Sequence, residues 1–234
     1  MVEHKEAITL TVKQNLARIQ QEIDAACQRV GREKNSVKII AVTKYVSDER
    51  AKEALEAGIS HIGENRAEEG ARKWHVLNGN GTWHFIGTLQ SRKVKEMIEI
   101  FDYIHSLDRL SLAKEIQKRA TKKVKCFIQV NVSGEDTKHG LQPSQLIEFV
   151  TALKQFSFIE VVGLMTMAPN EEDPEATRPN FRKLRDLQKE VQALKLSYAP
   201  CEELSMGMSN DFHIAIEEGA TFVRIGTSLV GKEM

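Results

Sequence analysis

The sequence predicts a single (β/α)8 TIM-type barrel with an additional N-terminal helix. Two observations predict this fold: short apolar runs alternate with helical stretches, and eight such units follow one another at spacings of about 20 to 40 residues. This alternation implies parallel strands joined by right-handed crossovers. A length of 234 residues suits one barrel, so we expect one domain over residues 1–234. A doubly wound open sheet is the alternative, but no dinucleotide motif or P-loop supports it.

The predicted elements alternate along the whole chain. It begins with one amphipathic helix, whose apolar residues recur near the helical period of 3.6 until Gly31 ends it. Because little sequence follows the last apolar run, this helix is expected to take the place of an eighth barrel helix. The predicted strands cover 37–43, 61–63, 83–87, 103–107, 125–132, 159–165, 203–206 and 221–225. The intervening helices are predicted at 48–57, 64–77, 91–100, 108–120, 143–156, 174–196 and 210–219.

Charge and cysteine usage narrow the classes of function. The 33 basic and 33 acidic residues cancel, so we expect neither nucleic-acid nor membrane binding. The N-terminal segment has no apolar core of a signal peptide and no run approaches a membrane span, which favours a cytoplasmic location. Cys27, Cys126 and Cys201 are far apart in the sequence, which suits buried reduced thiols better than disulfides or a zinc cluster. We therefore expect no metal site.

Polar residues end or follow the predicted strands, where barrel enzymes carry their chemistry. In chain order they are Lys44, Asn65, Arg66, His84, Ser106, Asn131, Thr166, Ser205 and Arg224. Lys44 ends the first apolar run, where its amine is well placed to form a Schiff base. The alternative is a lysine that extends its amine from the strand end into water. Spacing alone leaves both interpretations open.

Two glycine-bearing segments, 205–211 and 224–227, follow the seventh and eighth predicted strands, where barrels commonly hold a phosphate. Glycine lets the backbone approach an anion, Ser209 and Thr227 add hydroxyl donors, and the next predicted helix presents its positive end. The alternative is that Ser209 only caps its helix and Gly226 only turns the chain. A Schiff-base lysine and a phosphate cradle at one barrel mouth are the two anchors that pyridoxal 5'-phosphate (PLP) requires.

A series of motifs extends over nearly the whole chain. They are Ala41-Val42-Thr43-Lys44, Gly63-Glu64-Asn65, His84-Phe85-Ile86-Gly87, the segment 131–140, Gly163-Leu164-Met165-Thr166-Met167, Ser205-Met206-Gly207-Met208-Ser209 and Arg224-Ile225-Gly226-Thr227. On these motifs, in this order, the chain resembles the pyridoxal-phosphate homeostasis protein family. The single domain of that family is similar to the N-terminal barrel of bacterial alanine racemase. The resemblance implies this barrel fold and PLP as the cofactor.

The resemblance also implies a role for eight cofactor-binding residues. Lys44 would carry the internal aldimine, Arg224 would face the pyridine nitrogen, Ser209, Gly226 and Thr227 would hold the phosphate, and Asn65, His84 and Met206 would line the ring pocket. For the last three residues, ordinary packing at a strand end is the alternative. A fixed positive charge at the ring nitrogen disfavours its protonation and weakens the ring as an electron sink. Lys138 matches a family lysine that takes up or hands over the cofactor, and a solvated loop lysine is the alternative.

The function that the resemblance implies is PLP binding in intracellular homeostasis of PLP (vitamin B6) and of amino and keto acid pools, without turnover. The expected partners are PLP, amino acids and PLP-dependent enzymes that receive the cofactor, and the expected state is a monomer or weak dimer. The alternative is a PLP-dependent amino-acid racemase. In the racemase, a second domain supplies an opposing tyrosine base. We expect no such domain and no such base here, and we expect Tyr45 to point to the opposite side of the strand from Lys44. We therefore expect no catalytic residues.

Overall fold

Eight parallel strands close a barrel in chain order, and β8 completes the ring by pairing with β1. The computed structural model describes residues 11–134, 139–169 and 171–231. The strands are β1 (Lys38–Val42), β2 (His61–Glu64), β3 (Thr82–Phe85), β4 (Tyr103–Leu107), β5 (Val124–Gln129), β6 (Ile159–Met165), β7 (Glu203–Ser205) and β8 (Phe222–Ile225). The predicted barrel is confirmed, and an open sheet is excluded because every strand has two neighbours.

Helices follow the strands and surround the barrel. In the described part of the chain they are α1 (Val12–Arg29), α2 (Asp48–Glu56), α3 (Ala67–Val76), α4 (Val94–Met97), α5 (Leu110–Arg119), α6 (Leu146–Ala152), α7 (Arg178–Ala193), α8 (Phe212–Glu217) and α9 (Thr227–Val230). The helices predicted at 91–100 and 143–156 are shorter in the structure, because 3₁₀ turns occupy part of each range. Helix α9 was not predicted, since four residues are too few to show a helical period.

Helix α1 packs where an eighth barrel helix would lie. It contacts α8, α9 and α2, and the side-chain amide of Asn15 donates to the carbonyl oxygen of Leu229 at 2.9 Å. Thr11 and Gln14 form a capping box at its start. The first part of the predicted helix, including Ile8, lies outside the described residues. The predicted position of this helix is confirmed.

The apolar residues form two packed regions. The larger one lies between the strands and the helices and includes every strand. The smaller one fills the barrel interior with Ile40, Phe127, Val162, Met165 and Phe222. Because alternate strand residues face opposite sides, one face of each strand supplies the interior and the other supplies the helix layer. The interior is therefore a solid floor beneath the carboxyl ends of the strands.

The structure also shows the state of the three cysteines and the character of the described helices. Cys27, Cys126 and Cys201 are buried free thiols, as predicted. Burial raises the pKa of the Cys201 thiol to about 12, which keeps it protonated and unreactive. Among the helices in the described ranges, none combines the length and the apolar character that crossing a membrane requires.

Glu218 joins α7 to the end of α8 and is 5% exposed. It accepts contacts from Arg178 at 3.1 Å, Arg182 at 3.0 Å and Arg185 at 3.0 Å. Burial alone would raise the pKa of this carboxyl, but hydrogen bonds from Arg182 and Arg178 and the charge of Arg185 outweigh it, so the pKa is lowered. The charged carboxylate therefore stabilises the folded state.

We expect Glu218→Gln to lower the free energy of unfolding at neutral pH by about 1 to 2 kcal/mol, because charge-assisted hydrogen bonds are lost. Since the folded-state pKa lies below the ordinary value of 4.5, this stabilisation is present above that pH and disappears as the pH falls through the folded-state pKa. Urea unfolding at neutral and acidic pH measures both effects. The control is Glu190→Gln, which changes an exposed residue on α7. An equal loss at both pH values would contradict the prediction.

Candidate functional site

A cavity of about 570 Å³ opens at the carboxyl ends of the strands. Six of the eight predicted cofactor-binding residues line it: Lys44, Asn65, Ser209, Arg224, Gly226 and Thr227. They follow or end β1, β2, β7 and β8. Because β8 pairs with both β1 and β7, the loops that carry these residues are neighbours around the ring. The Lys44 amine and the predicted phosphate cradle therefore share one cavity.

Lys44 lies in the turn after β1 with a half-buried side chain. The N–H of Thr43, the preceding residue, donates to the carbonyl oxygen of Gly63 at 3.0 Å. The Nζ of Lys44 makes no hydrogen bond or ion pair with any residue in the described ranges, and it lies 4.9 Å from the centre of the Tyr45 ring. The prediction that Tyr45 points away from Lys44 is wrong, because the strand has ended and its alternation no longer applies.

The predicted phosphate cradle consists of the loops after β7 and β8. The first loop turns sharply at Gly207, where φ is 90° and a Cβ would lie 2.6 Å from the Cβ of Ala215, so only glycine fits. Ser209 then reaches the cavity wall, as do Gly226 and Thr227 after β8. Within the part of the chain that the structure describes, the N–H groups of Ser209 and Gly226 have no acceptor. Unpaired N–H groups on two adjacent loops form a site suited to an oxyanion.

Arg224 supplies a fixed positive charge to the same cavity. Its Nη1 donates to the Oγ of Ser205 at 2.6 Å, and its Nη2 donates to the carbonyl oxygen of Thr166 at 2.8 Å. Burial lowers the pKa of this guanidinium to about 10, and the nearby carboxylate of Asp211 counteracts the effect of burial. Since this value is still well above neutral, Arg224 remains protonated.

His84 is fully buried in the barrel interior and does not line the cavity. It belongs to a chain of contacts of 2.9 Å each that runs from His61 through His84 and His105 to Ser205. Arg224 can only donate, so the Ser205 hydroxyl accepts from it and donates to Nδ1 of His105, and each Nε2–H then donates to the next Nδ1. The reverse order would leave the Ser205 hydrogen without an acceptor among the described residues. Burial and the neighbouring positive groups lower the pKa of His84 and of His105 well below the ordinary value, so both are neutral.

Met206 is also fully buried and lies outside the cavity wall. Ser205 faces the barrel interior, whereas Met206, the next residue, packs in the apolar region between strands and helices. The N–H of Met206 still donates to the carbonyl oxygen of Phe222 at 3.2 Å, so the alternation of side chains continues one residue past the end of β7. The structure therefore brings six of the eight predicted residues to the cavity and leaves His84 and Met206 behind its wall.

The far wall of the cavity includes Asn131, which was predicted at the barrel mouth, and other residues that were not predicted there. It comes from the end of β5 and from the loops after β3, β5 and β6, with Ile86, Thr88, Gln129, His139 and Met167 as its further members. Several of these residues lie inside the motifs recognised in the sequence, and motif membership was the signal that marked them. Lys138 lies outside the described residues. No group of His, Cys, Asp or Glu able to hold a metal ion occurs in the described ranges.

Comparisons with known proteins agree with this geometry. Residues 14–233 match the family described as alanine racemase, N-terminal domain. A pyridoxal phosphate homeostasis protein of Aquifex aeolicus is 45% identical over 223 residues, which cover 94% of this chain and 97% of that protein. The protein of the same name in Vibrio cholerae is 36% identical over 95% of this chain and 96% of its own length.

Solved structures show the same relationship. PipY of Synechococcus elongatus, solved with PLP bound, has a TM-score of 0.82 and 33% identity, covering 94% of this chain and 100% of its own. Alanine racemase of Corynebacterium glutamicum has a TM-score of 0.73 but 16% identity, with 94% of this chain and 62% of that one covered, and therefore shares the fold alone. The resemblance found in the motifs is confirmed. On its sequence and its fold, the chain belongs to the pyridoxal phosphate homeostasis protein family, within the wider family of alanine racemase N-terminal domains.

Proposed function

We propose that this protein binds PLP reversibly and acts in the homeostasis of PLP and of amino and keto acid pools without catalytic turnover. One observation carries the proposal: a single cavity joins the amine of Lys44 to the N–H groups and hydroxyls of two adjacent loops. These are the two anchors that PLP requires, one for its aldehyde and one for its phosphate. The names of the relatives support the proposal, as does the structure of PipY with PLP.

The residues at the cavity fit this cofactor. Ser209, Gly226 and Thr227 would hold the phosphate through N–H and hydroxyl groups, and Asn65 would contact the ring. When bound, PLP supplies an electrophilic aldehyde. Lys44 would hold the aldehyde end of the cofactor through its amine, which lines the cavity. Because water can reverse such a link, the cofactor would be held and could be released unchanged.

Arg224 supports a holding role instead of turnover. It lines the cavity from β8, and its charge is fixed by two hydrogen bonds and by a pKa that stays near 10 despite burial. A permanent cation beside the ring nitrogen disfavours protonation of that nitrogen, which strong electron withdrawal needs. Transfer of PLP to other enzymes, contact with amino acids, a monomeric or weakly dimeric state and a cytoplasmic location belong to the same proposal.

The test is spectroscopic. We expect the purified protein, or the protein after addition of PLP, to absorb at the violet edge of the visible range, and borohydride to remove this band and fix the cofactor on Lys44. Peptide mass spectrometry locates the fixed adduct. A protein that takes up no PLP would overturn the proposal. Chiral analysis of L-alanine after incubation is the second readout, and rapid formation of D-alanine would replace the carrier function with racemase activity.

A further inference from the structure

A buried ion pair lies directly behind the turn that carries Lys44. Lys73 is on α3 and Glu64 ends β2, and both side chains are at most 1% exposed. The Nζ of Lys73 and the Oε1 of Glu64 are 2.9 Å apart. A lysine is almost never fully buried unless it is paired, because transferring its charge from water is costly. This pair is therefore an unusual feature of the chain, and it does not line the cavity.

The ammonium group of Lys73 uses all three of its donors. Besides Glu64, it donates to the carbonyl oxygens of Thr43 at 2.7 Å and Val46 at 3.2 Å. The hydroxyl of Thr43 donates to the same carboxylate oxygen at 2.6 Å. Lys73 therefore joins both ends of the segment 43–46, of which Lys44 is the second residue.

The segment is a closed turn. The N–H of Val46 donates to the carbonyl oxygen of Thr43 at 3.3 Å, so the two residues held by Lys73 are also held to each other. Lys44 and Tyr45 are the central residues of this turn. With both ends fixed, the backbone of Lys44 has a defined position relative to β8, the neighbouring strand that leads to the phosphate cradle.

The packing around the ion pair brings α3 close to β2. Gly70 brings α3 close to the end of β2: a Cβ on Gly70 would overlap the ring of Phe101 and would lie 3.2 Å from the Cβ of Glu64. The second carboxylate oxygen of Glu64, Oε2, has no hydrogen-bond partner among the described residues. An apolar pair of similar volume would fill this space without that cost. Stability alone therefore gives no reason for the ion pair, whereas fixing the turn of Lys44 does.

We propose that Lys73 and Glu64 are positioning residues for Lys44: they hold the turn so that its amine meets the aldehyde of a phosphate-anchored ligand. This inference rests on the proposed PLP function. It separates two parts of binding. The predicted phosphate cradle lies in the loops after β7 and β8, and the side-chain hydrogen bonds of Lys73 and Glu64 within the described residues go to each other and to the segment 43–46. Loss of the pair is expected to weaken the covalent link and to leave binding of the phosphate intact.

The experiment compares PLP with pyridoxine 5'-phosphate, which has the same ring and phosphate but no aldehyde. Lys73→Met combined with Glu64→Gln removes both buried charges together, which avoids leaving one of them unpaired. We expect pyridoxine 5'-phosphate to bind this variant within about twofold of the wild-type affinity, and the equilibrium constant for the covalent link to fall at least about tenfold, or about 1.4 kcal/mol. Absorbance titration and the yield of borohydride-fixed Lys44 measure the link.

Two further variants make the result specific. Thr43→Val deletes one hydrogen bond and keeps the ion pair. The equilibrium constant for the covalent link should therefore fall, by less than in the double variant, while the affinity for pyridoxine 5'-phosphate stays unchanged. This variant tests the proposal even where the double variant does not fold. Lys52→Met with Glu56→Gln removes an exposed ion pair on α2 and should change the binding of neither PLP nor pyridoxine 5'-phosphate. If the double variant or Thr43→Val weakened the binding of both ligands equally, or changed the binding of neither, the positioning role would be overturned. A wild-type protein without any fixed adduct on Lys44 would instead overturn the proposed function, and the positioning role with it.

Discussion

Lys44→Ala is expected to abolish covalent attachment of PLP. The amine that would attack the aldehyde is removed, and no other lysine lines the cavity among the described residues. We expect the borohydride-fixed adduct to fall to background and the affinity for PLP to fall by about a hundredfold, or about 3 kcal/mol. Absorbance titration and peptide mass spectrometry measure these two quantities. Because the cradle is unchanged, binding of pyridoxine 5'-phosphate should stay within about threefold of the wild type.

The control for this variant is Lys52→Ala, which removes an exposed lysine outside this cavity. It should retain the full yield of fixed adduct. An adduct of undiminished yield in Lys44→Ala would assign the covalent link to another lysine and would contradict the predicted role. Loss of pyridoxine 5'-phosphate binding in the same variant would show that Lys44 also supports the phosphate cradle.

Gly163→Ala is expected to destabilise the barrel strongly, because the added methyl group would meet backbone atoms. Gly163 lies in β6 beside β7, and a Cβ there would overlap the carbonyl group of Glu203 and lie 2.9 Å from the Cε1 of Phe127. Backbone atoms of a closed barrel cannot move aside without breaking strand pairing. We expect a loss of about 3 kcal/mol or more in the free energy of unfolding, at the upper end of the cost of overpacking. Urea unfolding measures it.

Gly31→Ala separates this clash from ordinary backbone strain. Gly31 has φ of 66°, but a Cβ there would meet no atom within 4 Å. Its substitution should therefore cost only about 1 kcal/mol, the price of the left-handed conformation. A similar cost at both positions would show that β6 and β7 have room to separate and that their close approach does not require glycine at position 163.

Much of the fold was predictable because the local signals agree. The range predicted for the fourth strand, 103–107, is the range of β4, and the range 159–165 is that of β6. Apolar runs of this length favour strands over helices, and each is followed by a helical pattern, so the alternation predicts parallel pairing. The ends of several helices were not predictable, since 3₁₀ turns and α-helices share the same sequence pattern over one turn.

Part of the site was also predictable. Lys44, Ser209, Arg224, Gly226 and Thr227 lie in motifs at strand ends, and the barrel places all strand ends at one mouth. The sequence therefore determined which loops meet at the cavity. Their cofactor contacts stay predictions that the proposed experiments test.

Depth inside the barrel was not predictable. The alternation of side chains along β3 predicts that His84 faces the barrel interior. Strand tilt and register, however, decide whether such a residue reaches the cavity or lies beneath it. His84 lies beneath it and contacts His105, which is 21 residues away in the sequence. Met206 is outside the cavity for a different reason: it faces the helix layer, because one residue along an extended chain exchanges the two sides.

The sequence by itself determined the order of the elements, the barrel class, and the strand ends that carry an amine and two glycine turns, because these depend on local periodicity and residue type. Only the tertiary structure decided that Tyr45 lies beside Lys44 and that Lys73 and Glu64 hold the turn between Thr43 and Val46. Those contacts join residues on separate elements, and their distances depend on how α3 packs against β1 and β2. No local pattern encodes that packing.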